Sequence, residues 1–273
     1  MGWINIIDFS FSLYRGHFRL FIGIVAIYAG VDALREVLLL FLWEYKPYHL
    51  LDDFITNLLN TLGLGILIVM ASEVHFGRQP TIREAFRRFH PLFSRYFGYS
   101  FAYLVPHSLW SLLAEINKSP DPMLSLLLLI SFPFMLYFLI AWILYGPVVI
   151  LENPMVQSPL SRSRELVRYA WWRVCGTIIA IYILLLVIIL ILTISYGVIV
   201  TSLGFLDEGT MVENILSMVK SIFEPDSVES ISLFHIIDSI FYVGVDAITA
   251  PIYAICVMLL YFNRRTQREG RDV

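Results

Sequence analysis

Six long apolar stretches, at 18–43, 54–76, 96–116, 123–151, 174–205 and 233–262, alternate with shorter polar ones along the chain. Crossing about 30 Å of hydrocarbon takes about 20 mainly apolar residues, so each stretch reads as a transmembrane helix. Several exceed that length, which implies tilt or protrusion past the headgroups. Pro106, Pro133, Pro147 and Pro251 fall inside these stretches and predict kinks, because a membrane helix tolerates proline where neighbours re-satisfy the freed carbonyls.

The polar stretches carry a helical period of their own. In 81–95, Ile82, Ala85, Phe86, Phe89 and Phe93 form one apolar face opposite arginines, and Thr81 with Glu84 makes a capping box that starts the helix. Ser158 and Pro159 give an N-cap followed by an N1 proline to a second such helix, with Leu160, Ser163, Val167, Ala170 and Trp171 along its apolar stripe. Near the N-terminus, Asp8, Ser12, Arg15 and Arg19 lie opposite Ile6, Phe9 and Leu13. Helices of this kind lie flat in the interface with arginines toward anionic headgroups. Each precedes a pair of spans, and Gly23, Gly98 and Gly176 recur 75 and 78 residues apart as the chain enters them. The expected architecture is therefore all-α: a polytopic bundle of six transmembrane helices in three parallel repeats of interfacial helix plus hairpin, at about 4–76, 80–151 and 158–262, with a short tail at 263–273, all in one domain spanning 1–273. Thr210 and Glu213 open a further amphipathic stretch through Met211, Ile215, Met218 and Ile222, expected on the outer surface.

Composition agrees with lipid as the solvent. The chain is 58% hydrophobic and 15% charged, against about 45–50% and 25% for soluble domains, and its mean hydropathy is +0.75. The formal charge of −3 averages two opposed surfaces. Of 19 basic residues, 15 fall before or at the very start of the first span, in the 77–95 and 152–173 segments and after the last span, whereas the opposite loops are acidic. The positive-inside rule places both termini in the cytoplasm. Arg83, Arg87, Arg88, Arg162, Arg164 and Arg168 are the candidate contacts to anionic lipid at that face. Cys175 and Cys256 lack paired spacing and are expected as free thiols in apolar helices.

Ionisable residues within spans are costly, about 2.5–3.5 kcal/mol each at the bilayer centre, and so normally face a partner or a cavity. Asp32, Arg35 and Glu36 share one helical face and can neutralise one another. Asp238 and Asp246 lie on the sixth span, Asp238 at a depth where Arg35 could reach it. These five form a candidate intramembrane polar network, either a structural ion pair or the wall of an ion path. Glu73 and Glu152 fall near cytoplasmic ends, where solvation is the simplest expectation. The histidines have no paired spacing for a metal, and no nucleophile elbow, phosphate loop or dinucleotide fingerprint occurs, so no metal, cofactor or nucleic acid is expected.

Three stretches carry a likeness to a known family. Phe9-Ser10-Phe11-Ser12-Leu13-Tyr14-Arg15-Gly16-His17-Phe18 opens the chain. Pro147-Val148-Val149-Ile150-Leu151-Glu152-Asn153 continues through Ser161-Arg162-Ser163 and Leu166-Val167-Arg168 to Trp171-Trp172-Arg173-Val174. Ala250-Pro251-Ile252-Tyr253 continues to Leu259-Leu260-Tyr261-Phe262 and Arg268-Glu269-Gly270. Together they resemble the membrane domain found with glycerophosphoryl diester phosphodiesterases, a six-span prokaryotic family that also occurs without the enzyme. The resemblance implies a prokaryotic cytoplasmic membrane and an anchoring role. It supplies no catalytic residue, since the phosphodiesterase proper needs a soluble barrel of about 250 residues.

Three functions compete at this point. A non-enzymatic anchor, scaffold or accessory subunit, with the anionic bilayer surface and a membrane or soluble protein as partners, is the first. A transporter or lipid-translocating protein with a polar cavity between hairpins is the second. A membrane-embedded lipid enzyme built on Glu152, Asn153 and His75 is the third.

Overall fold

The computed structural model describes residues 2–42, 49–116, 122–152, 158–202, 216 and 233–270, and among these every regular element is a helix. In chain order they are α1 (Trp3–Gly16), α2 (Phe18–Leu42), α3 (His49–His75), α4 (Ile82–Phe89), α5 (Phe93–Ile116), α6 (Pro122–Trp142), α7 (Tyr145–Leu151), α8 (Pro159–Val167), α9 (Trp171–Ser202) and α10 (Leu233–Glu269). Short 3-10 turns at His90–Leu92 and Arg168–Ala170 join α4 to α5 and α8 to α9. Helices α2, α5 and α9 begin at Phe18, Phe93 and Trp171, at the same 75- and 78-residue intervals as the three glycines. The external amphipathic stretch lies outside the described residues except for Leu216.

Local chemistry explains where the helices start and stop. Thr81 caps α4 as expected: its hydroxyl accepts from the Glu84 amide at 3.3 Å and the Glu84 carboxylate accepts from the Thr81 amide at 2.8 Å. Ser158 sits at the N-cap of α8 with Pro159 at N1, but its side chain makes no capping bond. Gly77 takes φ +72° after α3, a left-handed conformation that lets the Arg78 amide reach back to the Glu73 carbonyl at 3.0 Å. The fourth apolar stretch, expected as one kinked span, is two helices. Pro147 cannot donate to the preceding turn, and the chain breaks at Ile143 and Leu144.

Helices α3, α7 and α10 pack on one another at the centre. Their facing segments are buried on all sides, including Leu67, Met70, Leu144, Val149, Ile255 and Met258. Helix α2 lies against α3 and α10, α5 against α3, α6 and α7, and α9 against α6 and α10. The short helices follow the same order, with α1 on α10, α4 on α3, and α8 on α6 and α7.

Among the described residues, four stretches are long and apolar enough to cross a membrane: Leu58–His75, Pro122–Leu151, Pro159–Ser202 and Phe241–Glu269. Phe18–Val31 forms a shorter apolar helix, and α5, also expected as a span, is not among the four. At 24 residues α5 has the length. Its tyrosines and serines, among them Tyr96, Tyr99, Ser100 and Tyr103, lower its hydropathy.

The distribution of burial is the reverse of a water-soluble protein. The central helices α3 and α10 contain windows of mean hydropathy 1.5 and 2.0, each 61% buried. The α6–α7 and α8–α9 windows are more apolar, at 2.4 and 3.2, yet only 17% and 28% buried. Leu126, Leu129 and Phe134 on α6, with Ile183 and Ile191 on α9, stand exposed. Outward-facing surface that is more apolar than the core fits hydrocarbon and not water.

Candidate functional site

The arginine-rich ends of the central helices gather the charged side chains of the bundle. At the end of α3, Glu73 is only 7% exposed. Its carboxylate accepts from Arg78 Nη1 at 3.0 and 3.1 Å and from Arg88 of α4. The expectation of simple solvation fails here, because α4 folds back over the end of α3 and covers the acid with its own cation.

Glu152, at the end of α7, is held more extensively. Arg162 Nε of α8 donates to both carboxylate oxygens at 3.1 and 3.2 Å, and the Tyr261 hydroxyl of α10 donates at 2.9 Å. Arg162 also reaches Glu165 at 3.3 Å and Glu269 at 2.9 Å. Arg265 returns from Glu269, at 2.9 Å, to the Tyr261 hydroxyl, at 3.3 Å. The path Glu152–Arg162–Glu269–Arg265–Tyr261 thus closes on itself. Arg268 joins α10 to α8 again through the Glu165 carboxylate and backbone carbonyl. Three acids and three arginines balance, and Glu152 accepts from a donor on α8 and another on α10. Such an arrangement clamps α7, α8 and α10 together.

Two further polar contacts satisfy backbone groups that lose their helical partners. Ser163 of α8, fully buried, donates to the Ala141 carbonyl at 2.9 Å and accepts from the Leu144 amide at 3.1 Å, on either side of the α6–α7 break. Pro251 leaves the Ala247 carbonyl without its helical donor, and the Tyr14 hydroxyl of α1 supplies one at 3.0 Å. Ser10 of α1 lies 3.2 Å from the Cys256 thiol, which donates to it. Both cysteines are free and buried.

Of the expected lipid contacts, Arg83 and Arg87 of α4 and Arg164 and Arg168 in and after α8 are exposed. Arg88, also exposed, and Arg162, partly buried, are drawn into the ion pairs with Glu73 and Glu152. The side chains of Asp32, Arg35, Glu36 and Asp238 lie outside the described residues. Asp246 is exposed on α10 and has an interaction partner. Asn153 lies outside the described residues, and His75 takes aromatic neighbours, stacking on Phe262 at 5.1 Å between ring centres with Phe9 edge-on at 5.8 Å. Among the described residues no group of three or more His, Cys, Asp or Glu could hold a metal.

Tyr261 was not legible as a partner of Glu152, nor Arg265 and Glu269 as members of the same ring, because 109 residues separate Tyr261 from Glu152. The only hint was that α10 continues its helical period beyond the apolar stretch, which brings its terminal turns over α8.

Among the described residues the fold is thus all-helical, with four stretches of membrane-spanning length and apolarity. No family model, curated protein or solved structure matches the chain.

Proposed function

We propose that the chain is a six-span protein of a prokaryotic cytoplasmic membrane, with both termini in the cytoplasm, that acts without enzymatic activity as an anchor, scaffold or accessory subunit. The observation that carries this reading is the apolar outer surface of α6 and α9 beside a braced, arginine-rich end. In this reading the three units are repeats of interfacial helix, outward span and return span. Phe21, Tyr96 and Val174, at the same 75- and 78-residue intervals, are all fully buried, as are Ser10, Ala85 and Ser163. Each outward helix packs between its own return helix and the preceding one, which closes a ring. The likeness to the phosphodiesterase membrane domain supports an anchoring role, and the exposed Arg83, Arg87, Arg164 and Arg168 would meet anionic headgroups or an acidic partner.

Mild detergent extraction followed by tagged co-purification tests this function. A stable partner recovered repeatedly is the expected result; a chain that purifies alone and sustains solute or lipid flux in vesicles overturns it. The transport reading requires Asp246, which is exposed on α10 and has an interaction partner, to line a hydrated cavity between hairpins.

A further inference from the structure

Five tyrosines gather inside the bundle from four different helices. Tyr96 and Tyr103 come from α5, Tyr145 from the first turn of α7, Tyr182 from α9 and Tyr253 from α10. The Tyr103 and Tyr145 rings stack at 5.1 Å, Tyr145 and Tyr96 lie 5.6 Å apart, and Tyr182 and Tyr253 lie 5.8 Å apart. The Tyr253 hydroxyl is turned toward that of Tyr182, and both lie within electrostatic reach of Tyr103. Exposure falls along the series. Tyr182 is exposed, Tyr253 and Tyr103 are half-buried, and Tyr145 and Tyr96 are buried. The phenols therefore mark a crevice that runs inward from the exposed, apolar side of α9.

Hydroxyls outnumber their partners in this cluster. The Ser100 hydroxyl donates to the Tyr96 carbonyl at 2.9 Å, so the Tyr145 hydroxyl, also at 2.9 Å, donates to Ser100. The Tyr96 hydroxyl, on a fully buried side chain, has no hydrogen-bond partner among the described residues. The Tyr103 hydroxyl makes no hydrogen bond among them either, and those of Tyr182 and Tyr253 have only each other. Polar groups inside a protein are normally satisfied, and hydrocarbon offers no water to do it. No charged residue occurs in 96–103, 145–151, 174–202 or 247–262, the segments that carry all five tyrosines. The helix between Tyr253 and Arg264, at the charged end of α10, is about 16 Å long, half of a hydrocarbon core of about 30 Å. What completes this crevice is therefore neutral, lipid-soluble, flat enough to lie against aromatic rings, and equipped with oxygen acceptors.

We propose that the crevice seats a prenylated quinone. The ring lies against Tyr103 and Tyr253, its carbonyl oxygens accept from their hydroxyls, and the isoprenoid tail leaves past Tyr182 into the bilayer. This rests on the membrane reading above for the depth of the site, and goes beyond it by giving the bundle a small-molecule ligand. Tyr145 and Ser100 hold each other and form the wall behind the ring. The residues concerned are not those expected from the sequence, which pointed to ionisable groups on α2 and α10.

The test loads the full chain with decylubiquinone in phosphatidylcholine nanodiscs, moves it to mild detergent, and counts retained quinone per chain after extraction. One quinone per chain is expected, displaced by further decylubiquinone but not by dodecanol, which has a tail and no ring. Tyr103→Phe and Tyr253→Phe each remove one hydroxyl and no ring, and should lower retention about tenfold. Neither hydroxyl bonds a group of the surrounding helices beyond Tyr182, so the melting temperature without quinone should hold. A purely structural role would give the opposite split, with melting lowered and retention unchanged. Ile191→Val, on the exposed face of α9, should alter neither. Unchanged retention in both tyrosine variants overturns the proposal. So does displacement by dodecanol, which would assign the crevice to an acyl chain, or no retained quinone at all. The ligand comparisons use the unaltered chain and decide even if a variant fails to fold. A chain that stays dispersed without detergent would instead sink the membrane reading, a result separable from failure of the crevice.

Discussion

Helix α3 and the α6–α7 pair bring the chain back to the same end of the bundle by different means. Helix α3 is continuous, and the close approach of α4 is made possible by a missing side chain: a Cβ on Gly65 would stand 2.2 Å from the Phe89 ring. The α6–α7 pair is broken before Pro147, and the helix packed on it carries a serine that bonds both sides of the break. The matching position of α4 is Ala85, fully buried and without a hydroxyl. The flanking helix therefore complements the backbone state of the helix it covers, with apolar contact where the ladder is whole and a hydroxyl where it is cut. Helix α10 follows the second pattern, with Pro251 and Tyr14.

Ser163→Ala should break this arrangement most severely. It strands a buried amide and a buried carbonyl, each worth about 1–3 kcal/mol, so thermal unfolding in detergent should report a loss of about 3 kcal/mol. Ala85→Ser, where no break needs mending, should cost under about 1 kcal/mol, since its hydroxyl can bond its own helical turn. Equal losses at the two sites would dissolve the contrast. Gly65→Ala should cost about 2 kcal/mol by overpacking, because Phe89 is 2% exposed and cannot swing away. Its added methyl should be tolerated better once Phe89 is shortened to leucine.

A smaller difference should separate the two braced acids. Arg162 is 19% exposed in its side chain, whereas Arg78 and Arg88 are 60% and 49% exposed. Glu152→Gln should therefore cost about 1–2 kcal/mol and Glu73→Gln about 0.5 kcal/mol, the latter fading with added salt. The smallest effect concerns α4 itself. Bonds from the Thr81 amide and hydroxyl, with Arg87 and Arg88 nearby, hold the Glu84 carboxyl below its usual range. A lowered acid stabilises the fold above its unfolded-state value and loses that contribution as pH falls through its folded one. Protection of the amides at 82–86, taken relative to the intrinsic exchange rate at each pH, should hold at neutral pH and fall only as acid protonates this carboxyl, and Glu84→Gln should flatten that response.

Much of this fold is written locally. The capping box at Thr81, the Ser158–Pro159 start and the apolar runs place α4, α8 and the long helices within a few residues, because caps and hydropathy act over one or two turns. The 75- and 78-residue spacing was visible through Gly23, Gly98 and Gly176, yet the glycines are not what the positions share. A Cβ on Gly23 would strike Ile82 at 2.5 Å, whereas Gly98 and Gly176 face open space. The common feature lies two residues earlier, at the buried Phe21, Tyr96 and Val174. Glu73 and Glu152 were misread as solvated because their partners come from helices that fold back over them, a pairing that no local period encodes. Ser163 counted in the sequence only as a member of the α8 stripe, and the role of its hydroxyl shows only once the α6–α7 break stands beside it.

Topology tests the account most directly. Single cysteines placed at Arg83, Ser119 and Arg271, in a chain whose Cys175 and Cys256 are replaced, can be labelled with a membrane-impermeant maleimide in intact and in opened cells. The account predicts labelling of position 119 in intact cells and of positions 83 and 271 only after opening. Labelling of 83 or 271 from outside, or of all three positions alike, would contradict it.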